Sequence, residues 1–176
     1  MDLMVIEKAF KKIQETQYEG ILFINLSPKS LIMGDFINKI NGFVYKYGIQ
    51  KDKIVFEITE RETVKNFSLL EKFVYTLKLE GYKFAIDDFG SGFSSFHYIK
   101  KFPIDYVKID GDFIVNINKD EKDRAFVNSI VTLAKELKIQ TVAEFVENEE
   151  IVQVLNALEI DYYQGFHIGK PAQKFI

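Results

Sequence analysis

The feature that most limits how this chain can fold is a repeated couplet. A short, almost uninterrupted apolar segment is followed, again and again, by a stretch with helical periodicity. The apolar segments are Ile21–Leu26 (ILFINL), Ile54–Thr59 (IVFEIT), Phe84–Asp87 (FAID), Tyr106–Asp110 (YVKID), Thr141–Glu144 (TVAE) and Tyr162–Phe166 (YYQGF). Segments apolar on both alternating faces suit strands covered on both sides, as in parallel sheets. Between them, SLLEKFVYTLKLEG offers Ser68 and Glu71 as a capping box and Gly81 as a stop. KDRAFVNSIVTLAKELK carries an apolar stripe at Phe126, Ile130, Leu133, Ala134 and Leu137. NEEIVQVLNALE begins with Asn148 as a candidate N-cap and two acids in the first turn, where the helix dipole favours them. Strand alternating with helix predicts a parallel α/β architecture.

The polar residues choose among α/β folds. Each strand ends its apolar run at a polar group on its C-terminal side: Asn25, Glu57, Asp87, Lys108 with Asp110, Glu144, and Gln164. Six successive strands contributing polar groups at one end is how a (β/α) barrel builds a site at its mouth. A doubly wound sheet concentrates its site at one switch point and usually carries a glycine-rich phosphate turn, and no such turn follows any strand here. The expectation is a TIM-type (β/α) barrel, incomplete, with about six of its eight strands. Such barrels run to about 250 residues. With 176 residues in hand, the reading is a single partial barrel domain over 1–176, truncated at its N-terminal side.

Composition narrows the chemistry. The chain has no cysteine, which excludes disulfides, thiolate zinc sites and a cysteine nucleophile. Its two histidines, His97 and His167, have no carboxylate or second histidine at ligand spacing and read as surface or supporting groups. With 23 basic and 26 acidic residues the net charge is −3, unlike the basic surface of a binder of nucleic acid polymers. No apolar run approaches the roughly 18 residues of a membrane span, and the start, MDLMVIEKAFKKI, reads as an amphipathic helix. The expected setting is a reducing cytoplasm.

Gathered at one mouth, the polar residues are mostly acids: Glu57, Glu60, Asp87, Asp88, Asp110, Glu144 and Glu147. With them come the amides Asn25 and Gln164 and a single cation, Lys108. So many carboxylates cannot all stay ionised at close quarters without added positive charge. All-oxygen ligands favour Mg²⁺, Mn²⁺ or Ca²⁺. The adjacent pair Asp87–Asp88 suits two ions sharing ligands, if the turn beyond the strand brings both side chains inward. Two hard cations about 4 Å apart are the usual apparatus of phosphodiester hydrolysis. Singly, each residue has a plainer reading. Glu60 and Glu147 suit helix starts or loops, Asn25 a turn cap, and Gln164 with Gly165 a turn. Lys108 suits a salt-bridged core lysine, or the Schiff-base lysine of an aldolase-type barrel. Jointly, six polar strand ends favour a site.

Several segments also match a known family. FINLSP, FEITE, IDDFGSGFSSFHYIKKFPIDYVKID, TVAEFVE and YYQGFHIGKP resemble the successive motifs of the EAL domain, the bacterial cyclic di-GMP phosphodiesterases, over nearly the whole chain. The resemblance implies hydrolysis of cyclic di-GMP to linear pGpG by water activated between two Mg²⁺ or Mn²⁺ ions. By position, Asn25, Glu57 and Asp87 resemble metal ligands, with Asp87 bridging both ions and Asp88 serving the second. Lys108 resembles the lysine holding the nucleophilic water, supported by Asp110. Glu144 resembles the catalytic loop glutamate, and Gln164 the glutamine beside the water. Glu60 and Glu147 resemble acids that hold the DDFG loop and its neighbours in place.

Two departures stand out. The Glu-Ala-Leu motif that names the family, with its nearby arginine, is absent before Asn25, and Phe145 stands where the family usually has glycine. The expectations are therefore a phosphodiesterase whose parent protein is active, this chain alone being weakly active or inactive, or a degenerate cyclic di-GMP-binding receptor. Self-association, most simply as a homodimer, is expected through the open strand edges. A diguanylate cyclase or sensory domain is the expected companion in a full-length protein.

Overall fold

The computed structural model describes residues 2–65, 67–91 and 99–172. Along the chain run α1 (Asp2–Thr16), β1 (Leu22–Asn25), α2 (Pro28–Leu31), α3 (Phe36–Tyr47) and a 3-10 turn (Lys51–Lys53). Then come β2 (Ile54–Thr59), α4 (Glu60–Lys65), α5 (Phe67–Leu79), β3 (Lys83–Phe89) and β4 (Tyr106–Ile109). The last elements are α6 (Gly111–Ile114), α7 (Glu121–Glu136), β5 (Gln140–Ala143), α8 (Glu149–Ala157) and β6 (Tyr162–Tyr163). The strands pair in chain order, every pair parallel, and curl into a half-barrel with helices outside.

Strand periodicity divides the core in two. One set of alternate residues (Ile24, Phe56, Phe84, Ile86, Val107, Ile109, Ala143) packs outward against the helices, with Ile6 and Phe10 of α1 and Leu155 of α8. The other set faces the barrel interior. There Val55, Ala85, Tyr106 and Val142 form a buried layer with Ile21 and Phe23 packed beside it. Fully burying one such side chain contributes about 1.5–3 kcal/mol. Two residues further along each strand, the same phase brings up Asn25, Glu57, Asp87, Lys108 and Glu144. An apolar floor thus lies under a polar mouth.

Local details depart from the sequence reading in instructive ways. Strand β2 has the expected bounds, but β6 stops at Tyr163 instead of Phe166. A Cβ on Gly165 would lie 2.2 Å from the backbone of Val146, so glycine is what lets the two chain segments pass this closely beyond the strand ends. Helix α5 spans Phe67–Leu79, so Ser68 lies inside its first turn and does not cap it. In α7 the buried stripe is Val127, Ile130, Val131 and Ala134, with Leu137 46% exposed. Of the expected stripe, Ile130 and Ala134 are buried and Phe126 and Leu133 pack partly buried against the core. Asp120 caps the helix, accepting from the amides of Lys122 and Asp123. Asn148 does cap α8, accepting from the Ile151 amide at 3.0 Å.

Candidate active site

Lys108 stands at the centre of the mouth, and strand phase alone brings its partners to it. Its Nζ lies 2.8 Å from Asp87 Oδ1, 2.9 Å from Glu144 Oε1 and 3.3 Å from Glu57 Oε2. All four residues are buried. Three carboxylates around one ammonium leave the cluster short of positive charge. Glu57 Oε2 is also the one buried side-chain oxygen or nitrogen among the described residues without a hydrogen-bond partner. Its 3.3 Å approach to Lys108 gives attraction without hydrogen-bonding geometry.

The Asp87–Asp88 pair comes together by a different route from the one expected. Strand β3 continues through both residues to Phe89, so a turn beyond the strand end is not what gathers them. Instead the ladder with β4 shifts register between Ile86 and Phe89, and Asp88 takes a left-handed φ of 53°. A bulge of this kind re-aims side chains that would otherwise alternate. Carboxylate oxygens of Asp87, Asp88 and Glu144 then lie within 4.8 Å of one another. Past the bulge, Gly90 takes a φ of 104° that only glycine adopts readily. Its amide donates to Glu60 Oε2 at 3.0 Å, and Glu60 is fully buried.

Charge crowding shows in the acidities. Burial pushes the Glu144 carboxyl up to about 7; Lys108 opposes the rise, while Asp87 and Asp88 add to it. Burial likewise raises Glu57. Asp88 is raised by burial and by the charges of Asp87 and Asp110, with Lys108 and Arg61 opposing. At Lys108 burial works against the charged form, but Glu57, Glu144 and Asp87 outweigh it and hold the ammonium well above the ordinary lysine range. A cluster of oxygen donors, one of them a buried carboxylate oxygen that lacks a hydrogen bond, suits a hard cation. Asp87, Asp88 and Glu144 could hold one.

The EAL domain profile matches residues 1–171. This chain belongs to the EAL domain family. It is 41% identical to the cyclic di-GMP phosphodiesterase PdeA of Borreliella burgdorferi, over 97% of this chain and 26% of that protein. It is 39% identical to the cyclic di-GMP phosphodiesterase PdeB of Shewanella oneidensis, over 97% of this chain and 20% of that protein. Among solved structures, the PaMucR phosphodiesterase in complex with c-di-GMP superposes with a TM-score of 0.87 at 28% identity, covering 96% of this chain and 70% of that one. The chain thus spans about a quarter or less of the length of these two protein relatives.

Within this EAL domain the expected site residues fall into two groups. Glu57, Asp87, Asp88, Lys108 and Glu144 converge. Asn25 sits exposed at the end of β1, paired in register with Glu57. Gln164 is exposed, with its amide donating to the Ala143 carbonyl at 2.8 Å. Asp110 does not join the carboxylates on Lys108. It caps α6, accepting from the Asp112 amide at 2.9 Å, and acts on the site through its charge at Asp88. Glu147 is exposed, and among the described residues it makes no hydrogen bond or ion pair to the DDFG loop. His167 lies 3.2 Å from Glu149, and His97 is outside the described residues.

Sequence reasoning passed over Arg61 and Phe166. Arg61, exposed on the first turn of α4, is a second cation at the mouth. Its signal was its place directly after Glu60 in ITER. Phe166, 64% exposed, lines a cleft beside Glu144 and Gln164, two residues after the latter. No membrane-spanning helix occurs among the described residues.

Proposed function

We propose that this chain carries the catalytic machinery of a cyclic di-GMP phosphodiesterase, hydrolysing the cyclic dinucleotide to linear pGpG. The observation that carries this reading is the buried Lys108 ringed by Glu57, Asp87 and Glu144, with Asp88 alongside and one buried carboxylate oxygen lacking a hydrogen bond. Relatives named as cyclic di-GMP phosphodiesterases support the substrate. Asn25, Glu57, Asp87 and Asp88 are assigned to holding two Mg²⁺ or Mn²⁺ ions. Such ions supply positive charge that activates water and offsets the charge gathering on the phosphate.

Lys108 stays protonated at neutral pH, so it cannot serve as the base. It donates a hydrogen bond to the attacking water and holds it in line with the phosphorus. Glu144, with a carboxyl near 7, is placed to take a proton from that water. The new P–O bond forms as the bond to the 3′-oxygen breaks, and that oxygen takes up a proton from solvent while Glu144 later returns its own to water. Gln164 orients the water from the β6 side, and Asp110 keeps the loop after Lys108 in place through its cap on α6. Glu60 fixes the Gly90 amide and with it the bulge carrying Asp87 and Asp88. Glu147 is assigned to the same supporting role around the mouth. The cysteine-free composition fits work in a reducing cytosol.

Hydrolysis of cyclic di-GMP with Mn²⁺, followed by chromatographic detection of pGpG, tests the reading on this chain and on its parent protein. We expect weak turnover from the chain and strong turnover when natural upstream sequence restores a Glu-Ala-Leu segment. Removal of one metal-holding carboxylate or phosphate-binding cation commonly costs about 10²-fold. Tight binding without turnover by the parent protein would instead mark a receptor, and no binding would overturn the assignment.

A further inference from the structure

The bulge that carries Asp87 and Asp88 is held from outside the carboxylate cluster as well as from within it. Beyond Asp88, the Gly90 amide rests on Glu60 Oε2 at 3.0 Å. The Cα of Gly90 is met by a pair of aromatic rings. A Cβ placed there would lie 2.9 Å from Phe126 Cε1 and 3.0 Å from Phe113 Cε2, so no side chain fits under them. The two rings stack on each other, with centroids 4.4 Å apart and planes 27° from parallel. Both pack partly buried against the core.

The rings come from different helices, Phe113 from α6 and Phe126 from α7, yet both are fixed relative to the bulge. The Asp110 amide donates to the Phe89 carbonyl at 3.2 Å, and the Asp110 side chain caps α6. The start of α6 is thereby joined to the end of β3. Arg124, in α7 just before Phe126, donates to the carbonyls of Ile117 at 3.3 Å and Asn118 at 3.2 Å. The segment leaving α6 is thus tied back to α7, and the stack bears on Gly90 as one body.

The bulge needs a support of this kind. Asp88 holds a left-handed φ of 53°, which is costly for any residue with a Cβ. The gathered carboxylates of Asp87, Asp88 and Glu144 also repel one another until a cation is bound. Both effects favour opening the bulge, and strained backbone persists only where its surroundings over-determine it. We propose that the Phe113–Phe126 stack is a clamp on the Asp87–Asp88 bulge, and that these two phenylalanines are positioning residues which set how tightly the mouth holds Mg²⁺ or Mn²⁺. The inference rests on the metal-holding part of the phosphodiesterase reading above. The rings offer the ion no donor atom; they act through Gly90 on the carboxylates. Oxygens gathered in advance spare the ion the cost of gathering them.

The test measures Mn²⁺ binding to this chain by electron paramagnetic resonance, together with amide exchange at Gly90 in the absence of metal. The variants are Phe126→Ala, Phe126→Leu and Phe113→Leu, with Ile40→Ala as a core cavity under α3 for comparison. We expect Phe126→Ala to weaken Mn²⁺ binding by about tenfold or more, and the two leucine variants by about threefold or more. Each should also speed exchange of the Gly90 amide, because the Glu60 contact loosens with the clamp. Ile40→Ala destabilises the fold without touching the clamp and should leave both readouts unchanged. If Phe126→Ala does not fold, the leucine variants decide the point. Affinity within about twofold of the unaltered chain in every folded ring variant, or unchanged Gly90 exchange, overturns the clamp and leaves the metal assignment standing. An equal loss of affinity in Ile40→Ala overturns it too, since the effect is then one of general stability. No Mn²⁺ binding by the unaltered chain overturns the metal assignment and the clamp's part in it together.

Discussion

At the scale of single residues, the electrostatics of the mouth turn on Lys108. Replacing it with Met leaves Glu57, Asp87 and Glu144 buried without their ammonium, a loss of about 3–5 kcal/mol by analogy with broken buried pairs. Urea unfolding at pH 8 should show that loss, and the gap to the parent should narrow at pH 5 as the carboxyls protonate. Glu144 gives a second pH effect, of opposite sign to the usual carboxylate. Its folded value of about 7 lies above the ordinary glutamate value of 4.5, so its contribution is complete below the latter and is lost as pH rises through 7. The metal-free chain should therefore weaken between pH 5 and 8 by up to about 3 kcal/mol through this group, and Glu144→Gln should flatten the slope. A steep slope persisting in that variant counts against the assignment. Saturating Mn²⁺ should raise the melting temperature, and Asp87→Asn should remove most of the gain. The convergence of Glu57, Asp87, Lys108 and Glu144 was legible because strand period two puts every second residue on one face. Asp110 was not, since a residue just past a strand answers to the next helix, where it became a cap. The bulge at Asp88 was likewise hidden, because register is a property of two strands and not of either sequence.

At the scale of elements, α1 is tied to the mouth end of β1 by one side chain. Asp2 Oδ2 accepts from the Ser27 amide at 2.9 Å, the Ser27 hydroxyl at 2.7 Å and the Ser30 hydroxyl at 2.6 Å. Burial works against its charge, but the three donors outweigh it and draw the carboxyl below its usual value. Asp2→Ala should cost about 1–3 kcal/mol in urea unfolding and speed amide exchange in α1. Because the folded value is depressed, this stabilisation is present above the unfolded carboxyl's pKa and lost as pH falls through the folded one. The parent and the variant should therefore converge in strong acid; a constant difference at every pH would show that Asp2 acts by packing alone. The same contact illustrates what the sequence conveyed and what it did not. The amphipathic pattern of MDLMVIEKAFKKI announced a helix, and Ile6 and Phe10 are its buried residues. Nothing local marked Asp2 as the partner of two serines 25 and 28 positions away. The misplaced start of α5 has a related cause. A capping box is a local signal, and it is overridden when helical residues already precede it.

At the scale of the molecule, the decisive fact is a sheet with two ends. Among the described residues β1 pairs only with β2, and β6 only with β5. The α/β alternation and the polar strand ends were enough to read a six-stranded parallel barrel segment, since both follow from period and chain order. Closure is a different matter, because it depends on what lies beyond the outer strands. The interior layer records the opening. Tyr106 is fully buried between Phe23, whose ring centroid lies 5.2 Å away, and Tyr162 at 6.1 Å. Its two neighbours, on the outer strands, remain partly wet, Tyr162 at 40% exposure. Each Å² of apolar surface left to water costs roughly 25 cal/mol. Helix α1 does not cover the opening; Ile6 and Phe10 pack in the outer layer, and Glu7 meets Lys46 and Tyr47 of α3. Outer strands with free amides and carbonyls seek another strand. We therefore predict that this chain by itself forms a dimer or larger assembly through the β1 or β6 edge, and that additional upstream polypeptide supplying strands competes with that assembly. Light scattering over a concentration series and hydrogen exchange resolved to 22–25 and 162–163 check the point together. Association should bring slowed exchange at one or both segments, and an upstream extension should slow exchange while lowering the mass to that of a monomer. A chain that is monomeric throughout, with both segments exchanging freely, would mean that the exposed edges are stable as they stand.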